Sequence, residues 1–171
     1  MGRATALLTA LRLGRLTTRY PYQPSPAPPE YRGPPVFLED RCVGCGACMY
    51  ACPAQAISVR YEESDDIVVL EHSVARCIFC MFCADTCPHG AIVKTNIYEL
   101  ATDNPRDLIQ RVEHRPAHCA DCGEAYSTLR AVSRAAEGAG GLQRYMLRCP
   151  ACRARGVAEV IASSRRGGLV A

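Results

Sequence analysis

The sequence predicts an α+β fold whose core is a pair of β–loop–helix–β units related by a pseudo-twofold, and three observations predict it. A segment starting at Cys42 recurs at Cys77 with a constant offset of 35 residues, superposing four cysteines, Pro53 on Pro88, Ala56 on Ala91 and Ile57 on Ile92. Each copy lies between short β-like runs, Val36–Glu39 and Ile57–Tyr61 for the first, Ile67–Leu70 and Ile92–Tyr98 for the second. Finally, 12 of the 171 residues are cysteine, and eight of these fall between Cys42 and Cys87. A segment so short cannot stand on hydrophobic burial alone, so its thiols must staple it.

The remaining elements follow in chain order. Residues 4–16 place Leu7, Leu8, Leu11 and Leu16 along one helical stripe, with Arg12 and Arg15 largely elsewhere. The longest uncharged run there falls far short of the roughly 20 residues a membrane span needs. A basic amphipathic helix lying on a membrane surface or in a partner groove fits the pattern; a helix packed on the chain's own core is the alternative. Residues 20–35 hold seven prolines and must run extended as a strap. The acidic turn Glu62–Asp66 links the two repeats. Asn104-Pro105 followed by Leu108, Ile109 and Val112 predicts a helix across 99–118. A helix-like insert (Ser127–Glu137) and a glycine turn separate the last two cysteine pairs. The expected domains are 1–35 (helix and strap), 36–98 (the repeat), 99–118 (connecting helix), 119–160 (the last four cysteines) and 161–171 (frayed tail).

Spacing decides what the thiols do. All twelve belong to C-x-x-C steps or their extensions. Such gaps suit adjacent corners of a metal centre better than multiple disulfides, and imply a reducing compartment. The run C-x2-C-x2-C-x3-C-P occurs twice, which is the bacterial-type ligand set for [4Fe–4S] clusters, with each fourth cysteine serving the other repeat's cluster. One cluster is then held by Cys42, Cys45, Cys48 and Cys87, the other by Cys77, Cys80, Cys83 and Cys52. Two structural zincs are the alternative. The second loop carries Phe79 and Met81 where the first has Gly44 and Gly46. Fewer amide donors and a drier shell would give the second cluster the lower potential.

Cys119–Cys122 and Cys149–Cys152 read instead as two knuckle turns closing a tetrahedral zinc site, with a third cluster or a vacant site as alternatives. His114 and His118 are near enough to compete as ligands; His72 and His89 read as surface or turn residues. The net charge of +3 is too small to argue for nucleic acid. No nucleotide loop, nucleophile elbow or H-E-x-x-H occurs, so the chain has no visible catalytic site of its own.

The two cysteine runs, together with Tyr20-Pro21 and Tyr31-Arg32-Gly33-Pro34, resemble the two-cluster ferredoxin subunit of complex I and its relatives. Tyr98-Glu99-Leu100-Ala101 and the C-terminal cysteine pairs are similar to the iron–sulfur subunit of formate hydrogenlyase and related membrane-bound [NiFe] hydrogenases. The glycine-poor loop at Met81 departs from the pattern. The resemblance implies a bacterial ferredoxin-like core with a zinc-ribbon-like appendage, two [4Fe–4S] clusters and one Zn2+. It implies single-electron relay to or from a hydrogenase small subunit, within a hetero-oligomer that includes the large subunit, membrane-arm subunits and a donor iron–sulfur subunit. The chain would sit peripherally on the cytoplasmic side of the cell membrane, touching it through the N-terminal helix. The equivalent subunit of a quinone-reducing complex I-like dehydrogenase is the alternative, and a free soluble ferredoxin a further one.

Overall fold

A computed structural model describes residues 3–14 and 17–166. Arg15 and Leu16 of the expected N-terminal helix, and residues 167–171 of the expected tail, lie outside the described residues. The chain forms two compact units that divide between Tyr31 and Arg32. In the first, α1 (Arg3–Leu13) ends at Gly14, whose positive φ of 64° lets its N–H reach back to the Ala10 carbonyl at 3.1 Å. Leu7, Leu8, Leu11 and Leu13 are exposed. No described helix is long and apolar enough to cross a membrane.

The second unit is mixed helix and strand. β1 (Pro35–Phe37) pairs antiparallel with β4 (Ile92–Lys94), joining the start of the first repeat to the end of the second. Gly33 is needed at this seam, because a Cβ there would lie 2.5 Å from the Ile97 carbonyl oxygen. Its N–H donates to the Thr95 carbonyl at 2.9 Å. The repeats themselves contain the short helices α2 (Ala47–Ala51) and α3 (Phe82–Thr86). Between them, β2 (Ile57–Glu62) and β3 (Ile67–Ser73) form a hairpin around the acidic turn.

The chain beyond Tyr98 departs from expectation. The Asn104 cap is real, since its side chain accepts from the Arg106 N–H, but it opens only a 3-10 turn over Pro105–Leu108. β5 (Ile109–His114) follows and pairs with β3 from Val68↔His114 to Ser73↔Ile109, giving a three-stranded sheet in the order β2-β3-β5. A strand wins because β3 has an unpaired edge to satisfy, and because Gln110, Val112 and His114 alternate inward while Arg111 and Glu113 face water. β6 (Pro116–His118) and β7 (Ala125–Thr128) make a small bulged hairpin. α4 (Leu129–Glu137) falls on the helix-like insert and is capped by Thr128, whose hydroxyl accepts from the Ala131 N–H. α5 (Gln143–Met146) and α6 (Pro150–Arg166) complete the chain, and α6 carries ordered helix into the expected tail as far as Arg166.

The main core gathers Phe37, Cys42, Cys48, Leu70, Cys83 and Ile92 with their neighbours. A second small cluster is cysteine itself, Cys119, Cys149 and Cys152, with Tyr126 against it.

Candidate metal centres

All twelve cysteines are free thiols, which sets aside the disulfide reading. The two loops share one backbone plan. In the first, Gly44 and Gly46 take φ of 69° and 77°; in the second, the aligned Phe79 and Met81 take 54° and 67°. Each helix starts directly after the second left-handed residue and ends on the fourth cysteine. There Cys52 Sγ accepts from the Ala56 N–H at 3.2 Å, and Cys87 Sγ from the Ala91 N–H at 3.3 Å. The second loop, with the same backbone turn, also supplies an amide donor: the Phe79 N–H donates to Cys77 Sγ at 3.4 Å. Of the expected apolar cover from Ile78, Phe79, Met81 and Phe82, Phe79 and Met81 are half-buried while Ile78 is 64% and Phe82 55% exposed.

The fourth cysteines lean across. A pocket with about 330 Å³ of empty volume is lined by Cys42, Cys45, Cys48 and, from the other repeat, Cys87, with Phe37 and Leu70 behind them. In the other direction, burial raises the Cys77 and Cys83 thiols, Cys83 to about 11, and the nearby Cys52 adds to both shifts. Burial likewise pushes Cys48 up to about 12, helped by Cys42, Cys45 and then Cys83. Cys48 and Cys83, on α2 and α3, are thus electrostatic neighbours between the two sets. Thiols held so firmly protonated need a strong electrophile to bind as thiolates.

A mononuclear ion and a cluster demand different spacing. One zinc with Zn–S bonds of about 2.3 Å in a tetrahedron holds its sulfurs about 3.8 Å apart. Among the described residues, the set of three or more potential ligands within 4.8 Å of one another is Cys119, Cys122, Cys149 and Cys152. Among the described residues the other eight thiols form no such set, and a cubane with one cysteine per iron takes a wider spacing than a single ion. The repeated C-x2-C-x2-C-x3-C-P runs and the pocket that joins Cys42, Cys45 and Cys48 to Cys87 fit a [4Fe–4S] cluster.

The C-terminal set fits a single ion. Cys122 Sγ and Cys149 Sγ are 3.8 Å apart. The Cys149 N–H donates to Cys119 Sγ at 3.2 Å and the Cys152 N–H to Cys149 Sγ at 3.4 Å. Arg155 reaches Cys152 Sγ at 2.8 Å. The Cys149 N–H is the main cause that lowers Cys119 to about 6, while burial is the main cause that pushes Cys152 up to about 12. The histidines stand aside. His118 is 3.0 Å from the Gly123 carbonyl and 3.1 Å from the Asp66 carboxylate. His89 is exposed at the rim of the first pocket. His72 is no surface residue: it is fully buried, its ring tilted 43° to that of Phe37 with the centroids 5.2 Å apart.

Three residues around the first loop were invisible in the spacing. The Thr128 hydroxyl donates to the Val43 carbonyl, Arg130 grips three carbonyls of residues 39–42, and buried His114 abuts Gly44. Some 85 or more residues separate the first two from their partners. The only hint was an arginine in the first turn of a helix, where a cation is disfavoured.

Residues 41–91 match the 4Fe-4S dicluster domain. Over 102 residues the chain is 30% identical to an NADH-quinone oxidoreductase subunit I of Geobacter metallireducens, covering 55% of this chain and 78% of that protein. The chain belongs to the subunit I family of complex I and its relatives. It is also 31% identical over 109 residues to a subunit I of Symbiobacterium thermophilum, covering 57% of this chain and 45% of that one. Formate hydrogenlyase subunit 6 of Escherichia coli is 29% identical over 131 residues, with 77% of this chain and 73% of that protein aligned. The chain thus spans less than half the length of the Symbiobacterium relative. As a member of this family it is a 4Fe-4S protein.

Proposed function

We propose that the chain is the electron-relay subunit of a membrane-associated, complex I-like [NiFe] hydrogenase. The observation that carries the relay is the pocket lined by three cysteines of one repeat and the fourth of the other. On this reading Cys42, Cys45, Cys48 and Cys87 hold one [4Fe–4S] cluster, and Cys77, Cys80, Cys83 and Cys52 the second, across a pseudo-twofold. The clusters supply one-electron steps; the protein supplies a common wall, α2 against α3, that keeps the two centres adjacent, with Cys42, Cys48 and Cys83 buried and Cys45 open to solvent. Cys119, Cys122, Cys149 and Cys152 form a zinc-ribbon-like appendage whose four thiolates leave no open coordination position, so its Zn2+ is structural. The hydrogenase assignment draws support from the formate hydrogenlyase relative, whose alignment takes in 77% of this chain. α1, with its exposed leucines and no acidic residue in its first turn, would lie on the cytoplasmic face of the membrane.

A second reading, the corresponding subunit of a quinone-reducing complex I-like dehydrogenase, is favoured by the 30% and 31% identities to subunit I proteins. Affinity purification of the tagged chain from native membranes decides between them. Co-purifying hydrogenase large and small subunits are the expected result. A membrane arm without a hydrogenase subunit supports the second reading, and a free monomer overturns both. Repeating the purification without residues 1–31 should abolish co-purification while sparing the clusters, if α1 and the strap are the attachment.

A further inference from the structure

The first cluster loop is held from outside by a part of the chain that carries no cluster ligand. Its turn sends the Arg41 and Cys42 N–H groups back to the Leu38 carbonyl, which leaves the following carbonyls facing outward. The α4 end captures them. Arg130 donates from one guanidinium nitrogen to the Glu39 carbonyl at 2.7 Å and the Cys42 carbonyl at 3.0 Å, and from the other to Asp40 at 2.6 Å. Thr128, two residues earlier at the helix N-cap, donates to the Val43 carbonyl. Among the described residues, no side chain is seen gripping the matching carbonyls of the second repeat, at Val74, Ala75, Cys77 and Ile78.

The placement is locally costly. A cation in the first turn opposes the helix dipole, and this turn has no acidic residue to offset it. Three backbone carbonyls in a fork supply the compensation, and a guanidinium suits such a fork better than an ammonium. The arm that presents Arg130 is anchored at its base: β7 runs from the Cys122 knuckle into α4, Tyr126 packs on the four-cysteine cluster, and its hydroxyl donates to the Met146 carbonyl at 2.5 Å.

We propose that Arg130 is the positioning residue of the Cys42–Cys48 loop, and that through it the four-cysteine site supports the first cluster and not the second. This rests on the two-cluster reading above. The clamp fixes where the loop's cysteines stand, and its cation, screened because Arg130 lies at the surface, adds a modest pull on the electron that the second loop lacks.

The test uses the full chain with its clusters reconstituted, in wild type, Arg130→Met, Arg130→Lys and Cys149→Ser. Iron release to a chelator, a redox titration and electron paramagnetic resonance are read, and the first cluster's signal is identified as the one lost in Cys45→Ser. Arg130→Met should release half of the iron several-fold faster, and move one reduction step to more negative potential while the other stays. Arg130→Lys, which keeps the charge and loses the fork, should restore the potential but not the slow release. Cys149→Ser should speed release of the same half. Equal effects on both clusters, or no effect of Arg130→Met on either reading, would overturn the inference. A wild-type chain that takes up no labile sulfide fails the two-cluster reading itself, which keeps the two failures apart.

Discussion

Phe79 and Met81 hold a backbone conformation that their aligned partners, Gly44 and Gly46, adopt without strain. A left-handed non-glycine residue costs about 1–2 kcal/mol, so the second loop stores strain that the first does not. The reverse exchange is not tolerated equally at the two sites. At Gly44 a Cβ would lie 2.6 Å from Thr128 Cγ2 and 2.7 Å from His114 Cδ2, besides the penalty of φ +69°. Gly44→Ala should therefore destabilise the chain by about 2–4 kcal/mol and cost it the first cluster. Phe79→Gly should stay within about 1 kcal/mol of wild type, relief of strain being offset by a looser unfolded chain. Thermal unfolding with iron analysis checks both; a Gly44→Ala chain as stable as wild type would show that the Thr128–His114 wall gives way. The repeat was legible because cysteine spacing is a local signal, and one pocket brings Cys42, Cys45 and Cys48 together with Cys87. Thr128, Arg130 and His114 were not, because only the tertiary fold brings them to Gly44.

At the level of elements, β5 teaches most about what the sequence conceals. Its inward row is Gln110, Val112 and His114, two of them polar, so the alternation that marks a strand was masked and the Asn104-Pro105 cap pointed to a helix. The same sheet buries two histidines whose ring nitrogens have no partner, His72 on β3 and His114 on β5. Burial lowers His72 to about 4 and His114 in the same direction. The unfolded chain, with histidine near 6.5, binds more protons than the folded one between those values. Stability is thus intact above about pH 6.5 and lost as pH falls toward 4. His72→Leu should flatten that limb of a melting-temperature profile relative to its own value at pH 7.5, where removal of two unpartnered ring nitrogens sets a different baseline. An unchanged slope would mean that His72 is not the buried base that drives it.

For the whole molecule, the proposed crossing of the fourth cysteines makes a sharp prediction. Cys52→Ser lies in the first repeat yet should remove the same paramagnetic signal as Cys77→Ser, leaving the Cys42 cluster reducible. Loss of the signal that Cys42→Ser removes would refute the crossed ligand sets. The chain also reads as a seam rather than a string, since β1 and β4 close the repeats on each other and the Gln110 side chain ties β5 to the Pro35 carbonyl at 3.1 Å.

Strand β5 carries a last consequence, for any attempt to shorten the protein. A chain cut after residue 98 would keep all eight cysteines of the repeat, but would bare β3 from Val68 to Ser73 as an open sheet edge. Val69 and Leu70, now among the most buried residues, would sit with Val68 beside unpaired N–H and C=O groups and recruit other strands. The excised half would aggregate before its clusters could be studied, so the two halves of the second unit have to be inherited, expressed and engineered as one piece.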